Sequence, residues 1–353
     1  MTTAGAPVGR SVIERVAGDL AAAGGVRAVV LDDGSERGIR VLEFRTGGGL
    51  RFDVLVDRAM DIGLAEFDDL SVGWRSATGF RHPALHEHAD EDGLSWLRSM
   101  SGLVVTAGLD HTLFGGAVGA EQYHYPPRQT VRHGLHGRIA NIPARLTGYG
   151  ERWAGEDCVL WAEGEVRQAA IFAENLVLRR RIEADLGGTE IRLTDTVLNA
   201  GFDRTPHMFL YHVNVGWPLL DEGSRFDAPI AGTLWQSDSV AEQGVSHLVF
   251  PGPQPGFAEQ VYEHALTPDA DGRQRVRVVN DTRGRSFELD YDPAAFPAFF
   301  EWLNLREGGY AVGLEPSTHH VAGDAAARAD GSMIWLGHGD ERRYQTVFRF
   351  ARA

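Results

Sequence analysis

Residues 41–56, VLEFRTGGGLRFDVLV, decide the fold class, because apolar and polar residues alternate on both sides of three consecutive glycines. Alternation with a period of two is typical of a strand with one buried face, and a glycine turn between two such runs predicts a β-hairpin. The same period recurs along most of the chain, with further strands predicted at residues 159–166, 176–184, 190–198, 208–215, 275–279, 286–291, 310–315, 333–336 and 344–350. Many short strands with few helical windows predict an all-β fold, a large antiparallel β-sandwich.

The N-terminal segment follows a different pattern. Residues 11–14, SVIE, have the spacing of a capping box, and apolar residues recur after them at helical intervals. A short helix is therefore predicted within residues 1–25. No Pro/Ser-rich linker and no repeat with a period of 20–50 residues divides the remainder. We predict one domain over residues 1–353, with the β-sandwich at 40–350.

The composition excludes several classes of partner and chemistry. The 353 residues carry a formal net charge of −15 without a basic patch, which argues against nucleic acid or an anionic membrane surface as a partner. All 34 basic residues are arginine, so a Schiff-base lysine and a P-loop of the GKS or GKT type are excluded. Cys158 is the one cysteine, which excludes a disulfide framework and a cysteine-cluster metal site.

The sequence shows no targeting segment. Its first residues, MTTAGAPVGR, lack the apolar run of a signal peptide, and no segment approaches the ~20 apolar residues of a membrane span. We therefore expect a cytoplasmic protein without a membrane partner.

The run LYHVNVGWP, residues 210–218, is predicted to be a strand with an unusual polar face. Side chains alternate along a strand, so His212 and Asn214 point one way while Tyr211 and Val213 point the other. Two adjacent polar groups on one face suggest a solvated face, a hydrogen-bond network or a functional site. A strand histidine beside an asparagine is more often structural than catalytic, so this segment alone leaves the question open.

Two other places carry polar residues that neither a core nor a plain surface requires. Arg58 and Asp61 follow a predicted strand, where they could bind a substrate or form an ion pair with each other. His136 lies between glycines in HGLHGRIAN, residues 133–141, where it could contact a ligand or a backbone carbonyl.

A fourth place is VGLEPSTHH, residues 312–320, in which Glu315 shares a strand face with Ala311 and Gly313. Small neighbours leave space beside the carboxylate that a ligand could fill. A glutamate before proline is also common in turns, so the structural interpretation stays open here too.

Metal binding is the rival chemistry, since the chain has 14 histidines. The densest groups are residues 86–88, HEH, and residues 319–320, HH, and neither has the helical HExxH spacing of zinc proteases. No metal site is therefore predicted. The motifs of serine hydrolases and dinucleotide-binding enzymes, G-x-S-x-G and G-x-G-x-x-G after a strand, do not occur either.

Taken together and in this order, HGLHGRIAN, LYHVNVGWP and VGLEPSTHH resemble the aldose 1-epimerase (galactose mutarotase-like) superfamily. The chain is most similar to a branch with R-x-x-D-I-G, T-x-G-L and L-Y-H-x-N-x-G-x-P-L-L segments, found here at residues 58–63, 106–109 and 210–220. The resemblance covers residues 40–350. It implies a galactose mutarotase-like supersandwich, with a sugar bound in a cleft across one sheet.

The resemblance also implies roles for individual residues. By motif, His212 is expected to be the general acid, Glu315 the general base, and His136 a helper that holds the sugar. The run YHVNVG departs from the HPYFN-like run of other members, which leaves His207 as an alternative acid. The substrate-binding candidates are Arg58, Asp61, Asn214, His207, Trp74, Trp302 and Asp227.

The implied reaction is mutarotation, the interconversion of sugar anomers by acid- and base-catalysed ring opening. It requires neither a metal nor an organic cofactor, and a monomer or homodimer is expected. Two other functions remain open. One is an isomerase, epimerase or lyase for an oxidised or acidic sugar, with or without a metal, and the other is a sugar-binding module without turnover.

Overall fold

Two large antiparallel sheets make up most of the computed structural model, which describes residues 9–124 and 127–353. In chain order the strands are β1 (Gly25–Val30), β2 (Arg40–Arg45), β3 (Leu50–Leu55), β4 (Asp61–Phe67), β5 (Leu70–Ser71), β6 (Val104–Leu109), β7 (Gly116–Gly119), β8 (Thr130–His133), β9 (Arg145–Ala154), β10 (Asp157–Ala169), β11 (Asn175–Asp185), β12 (Glu190–Asn199), β13 (Thr205–Gly216), β14 (Arg225–Asp227), β15 (Ile230–Gln236), β16 (Gln260–Leu266), β17 (Gln274–Asn280), β18 (Arg285–Tyr291), β19 (Ala298–Asn304), β20 (Ala311–Ser317), β21 (Ile334–Leu336) and β22 (Glu341–Arg352). Each strand predicted from the sequence overlaps one of these.

Helices contribute little to the described part of the chain. The α-helices are α1 (Arg10–Val16), α2 (Ser239–Gln243) and α3 (Gly323–Asp330). Short 3₁₀ turns lie at Leu20–Ala22, Gly34–Glu36, Pro83–Leu85, Glu91–Gly93, Ser95–Arg98 and Ile139–Asn141. None of the helices in the described ranges is long and apolar enough to cross a membrane.

The strands form a large sheet and a second sheet. The large sheet has twelve strands, in the order β1-β2-β3-β4-β6-β13-β20-β19-β16-β15, with β5 beside β4 and β21 beside β13. The second sheet has eight, in the order β14-β17-β18-β22-β12-β11-β10-β9, and β7 and β8 pair as a separate hairpin. The apolar residues between the two sheets form the main core. The predicted all-β antiparallel sandwich is confirmed.

The hairpin that decides the fold class forms from β2 and β3. Phe44 and Phe52 are paired across it, with ring centroids 4.5 Å apart. The glycine turn is needed for packing, since a Cβ on Gly48 would lie 2.3 Å from the carbonyl oxygen of Gly187 in another turn. A larger residue would push these two turns apart.

β13 lies at the centre of the large sheet, between β6 and β20, and all twelve of its residues are buried. Tyr211 and Val213 belong to the main core between the sheets. His212 and Asn214 lie on the opposite face and are also buried, at 3% and 0% exposure. The polar face of LYHVNVGWP is therefore not a solvated face, because connecting segments cover it.

A buried ionic network joins the two sheets through the core. Arg180 on β11 binds both oxygens of Asp195 on β12, at 2.9 and 2.7 Å, and Asp61 on β4 at 2.8 Å. Its remaining donors contact the Ala59 carbonyl at 3.1 Å and the Thr106 hydroxyl at 2.8 Å. Every donor nitrogen of this guanidinium thus has an acceptor, which is what a charge in the interior requires.

The N-terminal segment differs in detail from the prediction. The first eight residues lie outside the described part, and α1 begins after Gly9 without a side-chain cap. Ser11 lies within the first turn of α1 and not at its N-cap, so the predicted capping box does not form, and the Ser11 hydroxyl donates to Glu156, 2.9 Å away. The second sheet's edge offers this hydroxyl a carboxylate acceptor, which sequence spacing could not indicate.

Candidate active site

His212 and Glu315 lie side by side at the floor of a pocket on the outer face of the large sheet. β13 and β20 are antiparallel with Val213 opposite Leu314, a register that places His212 beside Glu315. The His212 Nε2 and Glu315 Oε1 atoms are 3.0 Å apart, and the two side chains are 4% and 5% exposed. An imidazole and a carboxylate at this separation can act together as acid and base.

Gly313 provides the space that these two side chains occupy. It lies opposite Asn214 on the neighbouring strand and opposite Trp302 on β19. A Cβ at this position would lie 2.8 Å from Glu315 Oε1 and 3.0 Å from His212 Cε1. The sequence predicts space for a ligand beside Glu315, and in the structure the space at Gly313 is occupied by the side chains of Glu315 and His212.

His136 reaches the same pocket from the loop after β8. Its backbone N–H donates to the Leu113 carbonyl at 2.9 Å, and its carbonyl accepts from Gly108 of β6 at 3.0 Å. Gly137 allows this close approach, because a Cβ there would lie 2.4 Å from the Gly108 carbonyl oxygen. The His136 and His212 rings meet edge to face, with centroids 5.7 Å apart.

The pocket has a volume of about 290 Å³, close to the lower end of the ~300–1,000 Å³ typical of small-ligand sites. Aromatic side chains form much of its wall. The Trp96 ring lies 4.6 Å from that of His136, and the Trp302 ring lies 5.2 Å from that of His212. The mouth is apolar and exposed, and it is formed by Leu94, Leu97 and Phe114.

Burial shifts the pKa values of His136, His212 and Glu315 in the directions that favour their neutral forms. Burial, assisted by His136, lowers the pKa of His212 well below its ordinary value of 6.5. Burial, assisted by the charge of Glu259, raises the pKa of Glu315 well above 4.5. Burial, followed by His111, lowers the pKa of His136 to about 3. Perturbed groups of both kinds in one pocket are typical of a catalytic site.

Several polar atoms of the pocket are buried without a hydrogen-bond partner among the described residues. They are Nδ1 of His136, Nδ1 of His212 and Oε1 of Glu315, and Oδ1 of Asn214 is likewise buried and unpaired behind the pocket. Glu315 Oε1 is close to His212 Nε2, but the two atoms are not aligned as a hydrogen bond. An unpaired buried polar atom costs about 1–3 kcal/mol, so the group of atoms suits a ligand with several hydroxyls.

The remaining aromatic and amide candidates lie around this centre. Trp302 lines the pocket, and its indole N–H donates to Glu259 Oε2 at 2.9 Å. Trp74 packs against Trp302, with ring centroids 5.8 Å apart, without lining the cavity itself. The Asn214 amide donates to the Gly102 and His212 carbonyls, both at 3.1 Å, so it braces the strand beside His212.

Arg58 and Asp61 do not reach the pocket, contrary to the substrate-binding role considered for them. Arg58 is 1% exposed, and its guanidinium donates to the carbonyls of Ala140, Arg81 and Ser99. Asp61 pairs with Arg180, as described above, so the Arg58–Asp61 ion pair that was the alternative does not form either. Both side chains have their partners inside the protein.

His207 and Asp227 also lie away from the pocket. The His207 ring is in the core, where Nδ1 donates to the Leu109 carbonyl at 2.8 Å and Nε2 lies 2.7 Å from the Tyr344 hydroxyl. Asp227 is at the edge of the second sheet, where it pairs with Arg277. The geometry thus favours His212 over His207 as the residue available to a ligand.

Some pocket residues were not identified from the sequence. Trp96 lies in a 3₁₀ turn within an irregular connection, and Glu259 precedes β16. Phe300 and Val261 also line the wall. None of them has a local pattern that distinguishes it from other loop or strand residues, because only the packing of distant segments brings them together.

A larger cleft, of about 690 Å³, lies between the N-terminal segment and strands β1 to β4. It contains none of the predicted catalytic residues. Burial, together with Glu43 and Glu66, raises the pKa of Asp53 in this cleft to about 6. Since the cleft lacks the pairing of a histidine with a carboxylate, the smaller pocket is the stronger candidate for catalysis.

Comparison with protein families gives a match over residues 36–350 to the family described as a domain of unknown function, DUF4432. The chain belongs to the DUF4432 family. A sequence comparison with curated proteins gives no significant match.

Solved structures place this DUF4432 protein among the galactose mutarotase-like folds. A candidate aldose 1-epimerase from Klebsiella pneumoniae superposes with a TM-score of 0.81 at 23% identity, covering 93% of this chain and 83% of the other. A galactose mutarotase-like protein from Clostridium acetobutylicum gives a TM-score of 0.65 at 10% identity, covering 93% and 98%. A GalM/aldose epimerase homologue from C. elegans gives 0.53 at 12% identity, covering 89% and 99%. The fold implied by the motifs is confirmed.

Proposed function

We propose that this protein is an aldose 1-epimerase-like enzyme that interconverts the anomers of a neutral sugar by acid and base catalysis at His212 and Glu315. The observation that supports this most directly is the 3.0 Å separation of His212 Nε2 and Glu315 Oε1 at the floor of the pocket. The structural neighbours described as aldose epimerases and mutarotase-like proteins support the same reaction class.

Mutarotation needs an acid and a base that are adjacent. A base removes the proton of the anomeric hydroxyl while an acid protonates the ring oxygen, and the ring opens to an aldehyde. Both oxygens are bonded to the same anomeric carbon, so groups that contact both must lie close together. After rotation of the carbonyl group, the steps reverse and the other anomer forms.

The two residues need one proton between them. With His212 protonated and Glu315 ionised, the imidazolium donates to the ring oxygen and the carboxylate accepts from the hydroxyl. Burial opposes both charges, whereas their proximity and the hydroxyls of a bound sugar favour them. We expect His136, whose Nδ1 is unpartnered, to hold a sugar hydroxyl beside this pair.

The lining of the pocket favours a neutral sugar. Among the described residues, no arginine lines it, and the carboxylates of Glu259 and Glu315 would repel an anionic substrate. The aromatic faces of Trp96 and Trp302 suit the apolar C–H face of a sugar ring. This argues against the alternative of an oxidised or acidic sugar as substrate.

Exchange NMR tests the proposal. The full-length protein is added to a panel of neutral aldoses, each assayed beside the corresponding uronic acid, and the rate of exchange between anomeric signals is measured. We expect faster exchange for at least one neutral aldose and a smaller effect for its uronic acid. A protein that binds a sugar without accelerating its exchange would contradict the proposed activity, and a preference for the uronic acid would contradict the proposed substrate class.

We further propose that the acid–base step needs no metal or organic cofactor, and that residues 1–353 form one domain that acts as a monomer or homodimer in the cytoplasm. These statements extend the sequence-based expectations. The exchange rate of chelator-treated protein tests the first statement, and limited proteolysis, light scattering and cell fractionation test the others.

A further inference from the structure

A second cluster of ionisable side chains lies on the opposite face of the strands that form the pocket wall. His264 on β16, Glu301 on β19 and His247 in the loop before β16 bring one ligand atom each within 4.8 Å of the others. His247 Nδ1 and His264 Nε2 are both 2.9 Å from Glu301 Oε2. These three residues, which we term the His₂Glu cluster, are separated by 17 and 37 positions in the sequence, and no local motif connects them.

The Glu301 carboxylate of this cluster has hydrogen-bond partners for only one of its two oxygens. Glu301 is 0% exposed, and within residues 9–124 and 127–353 its hydrogen-bonding partners are these two histidines. Both histidines approach Oε2, while Oε1 is buried without a partner. Neutral imidazoles would leave a full negative charge in the interior, and such a charge is normally paired or bound to a metal.

The donor set and its surroundings fit a divalent transition-metal ion. Two imidazole nitrogens and one carboxylate are the three protein ligands of Zn²⁺ sites in which water takes the fourth position, whereas Ca²⁺ and Mg²⁺ prefer oxygen ligands. The His264 Nδ1 lies 3.4 Å from the Thr233 hydroxyl, a contact that can orient the ring. The His247 side chain is 24% exposed, which provides a path for the ion.

We propose that the His₂Glu cluster binds a Zn²⁺-class divalent ion and thereby fastens the loop containing His247 to β16 and β19. Side chains alternate along β19, so Glu301 points to the cluster while its neighbours Phe300 and Trp302 line the pocket. The ion therefore holds the strand that carries part of the pocket wall. It lies on the other side of the sheet from His212 and takes no part in the acid–base step.

Metal titration tests this site without any assay of sugar exchange. The full-length protein is stripped with a chelator, and Co²⁺, a spectroscopic substitute for Zn²⁺, is added while visible absorption and thermal unfolding are measured. We expect saturation at one equivalent, displacement by Zn²⁺, and a rise in the unfolding temperature, because the ion binds the folded state preferentially.

Variants locate the ion. His247→Ala changes a partly exposed loop residue and should fold, and we expect its Co²⁺ affinity to fall by at least about 100-fold, more than removal of an outer-shell contact. Glu301→Gln keeps the side-chain shape and should also lose binding. The matched control is His338→Ala, which removes an exposed histidine that contacts the Gly201 carbonyl, and it should bind like the wild type.

The proposal is overturned if the stripped wild-type protein shows no saturable binding of Co²⁺ or Zn²⁺, or if His247→Ala binds as tightly as His338→Ala. Circular dichroism of each variant distinguishes loss of the site from loss of the fold. Because the measurement is of metal content and thermal stability, its outcome does not depend on the proposed mutarotase activity.

Discussion

The two faces of β13 carry buried polar groups of opposite kinds. On the core face, the Tyr211 hydroxyl donates to Asp195 at 2.6 Å, and that carboxylate also binds Arg180, whose donors are all satisfied. On the pocket face, His212 and Asn214 each keep a buried atom without a partner. On the core face, the polar atoms around Arg180 are paired with one another, and we call this the closed network. On the pocket face, some polar atoms still lack a partner, and we call this the open network.

This difference separates a structural role from a functional one. A closed network leaves no atom for a ligand, and its removal should change stability. An open network at a cavity is costly in the free protein, and its missing partners are those that a substrate can supply. Substitutions on the two faces should therefore affect different quantities, activity on one face and stability on the other.

The largest effect is expected from Glu315→Gln, which removes the base of the open network. The anomer exchange rate should fall by about 10²- to 10⁴-fold, the usual contribution of one general acid or base. Thermal stability should be unchanged or slightly higher, because a buried ionisable group is lost. Exchange NMR and thermal unfolding measure the two quantities.

The matched control for this variant is Glu259→Gln, which alters the other carboxylate of the pocket. It binds the Trp302 indole and is not in contact with His212. A smaller decrease in exchange rate is expected. Equal decreases in both variants would refute the assignment of Glu315 as the base.

Arg180→Leu should break the closed network instead. It leaves Asp61 and Asp195 without their cation in the core, and removing one partner of a buried ion pair typically costs about 3–5 kcal/mol. Denaturant unfolding measures this loss. The exchange rate per folded molecule should stay close to that of the wild type.

Arg179→Leu, on the exposed face of the same strand, is the control for this loss. Arg179 pairs with Glu165 and Glu341 at the surface, where an ion pair contributes about 0–1 kcal/mol. If the two variants lose equal stability, the network across the core is not the reason for the destabilisation.

His207 provides a pH-dependent test of the core face. Burial lowers the pKa of His207 to about 3, from 6.5 in the unfolded chain. Below pH 6.5 the unfolded state binds a proton that the folded state does not, so stability is complete above pH 6.5 and falls as the pH falls. This histidine alone should remove about 2 kcal/mol between pH 7 and pH 5.

The measurement compares denaturant unfolding of the wild type and His207→Gln at both pH values. His207→Gln is less stable at pH 7, since it loses hydrogen bonds to Leu109 and Tyr344, but its deficit should shrink by about 2 kcal/mol at pH 5. A deficit that is constant with pH would show that His207 titrates normally in the folded protein.

The smallest expected effect is that of pH on the activity near neutrality. Burial lowers the pKa of His212 well below 6.5 and raises that of Glu315 well above 4.5, so burial favours the neutral forms of both groups, which carry one proton between them. A profile of kcat/KM against pH should therefore be broader than the bell expected for exposed groups that titrate at their ordinary values of 4.5 and 6.5. A narrow maximum between those two values would indicate that the residues titrate independently in an exposed site.

Much of the fold follows from local patterns. The alternation in β2 and β3 and the glycines between them predict the hairpin, since burial of one strand face imposes a period of two. The capping box at Ser11 fails because α1 begins at Arg10, which places Ser11 inside the first turn, where its hydroxyl and backbone N–H donate to the distant Glu156. The strand signal is repeated over many residues, whereas the cap depends on a single contact.

The candidate site, too, could be predicted from the sequence only in part. The order of the motifs around His136, His212 and Glu315 identifies residues that the structure brings into one pocket. In the sequence, Arg58 and His207 carry polar groups that could bind a ligand as well as those of the pocket residues. In the structure, the Arg58 guanidinium donates to backbone carbonyls, and the His207 ring contacts the Leu109 carbonyl and the Tyr344 hydroxyl. Whether a polar residue is satisfied depends on neighbours that are far away along the chain.

Local alternation in the sequence predicted the all-β class and the strand positions, because these depend on residues that are near one another. The order of three motifs along the chain, through their resemblance to a known superfamily, indicated the segments around His136, His212 and Glu315. The tertiary structure decided which polar groups of β13 are open to a ligand, and it assembled the His₂Glu cluster from His247, His264 and Glu301. Those properties arise from strand register and from contacts between distant segments, and neither is encoded in any local spacing.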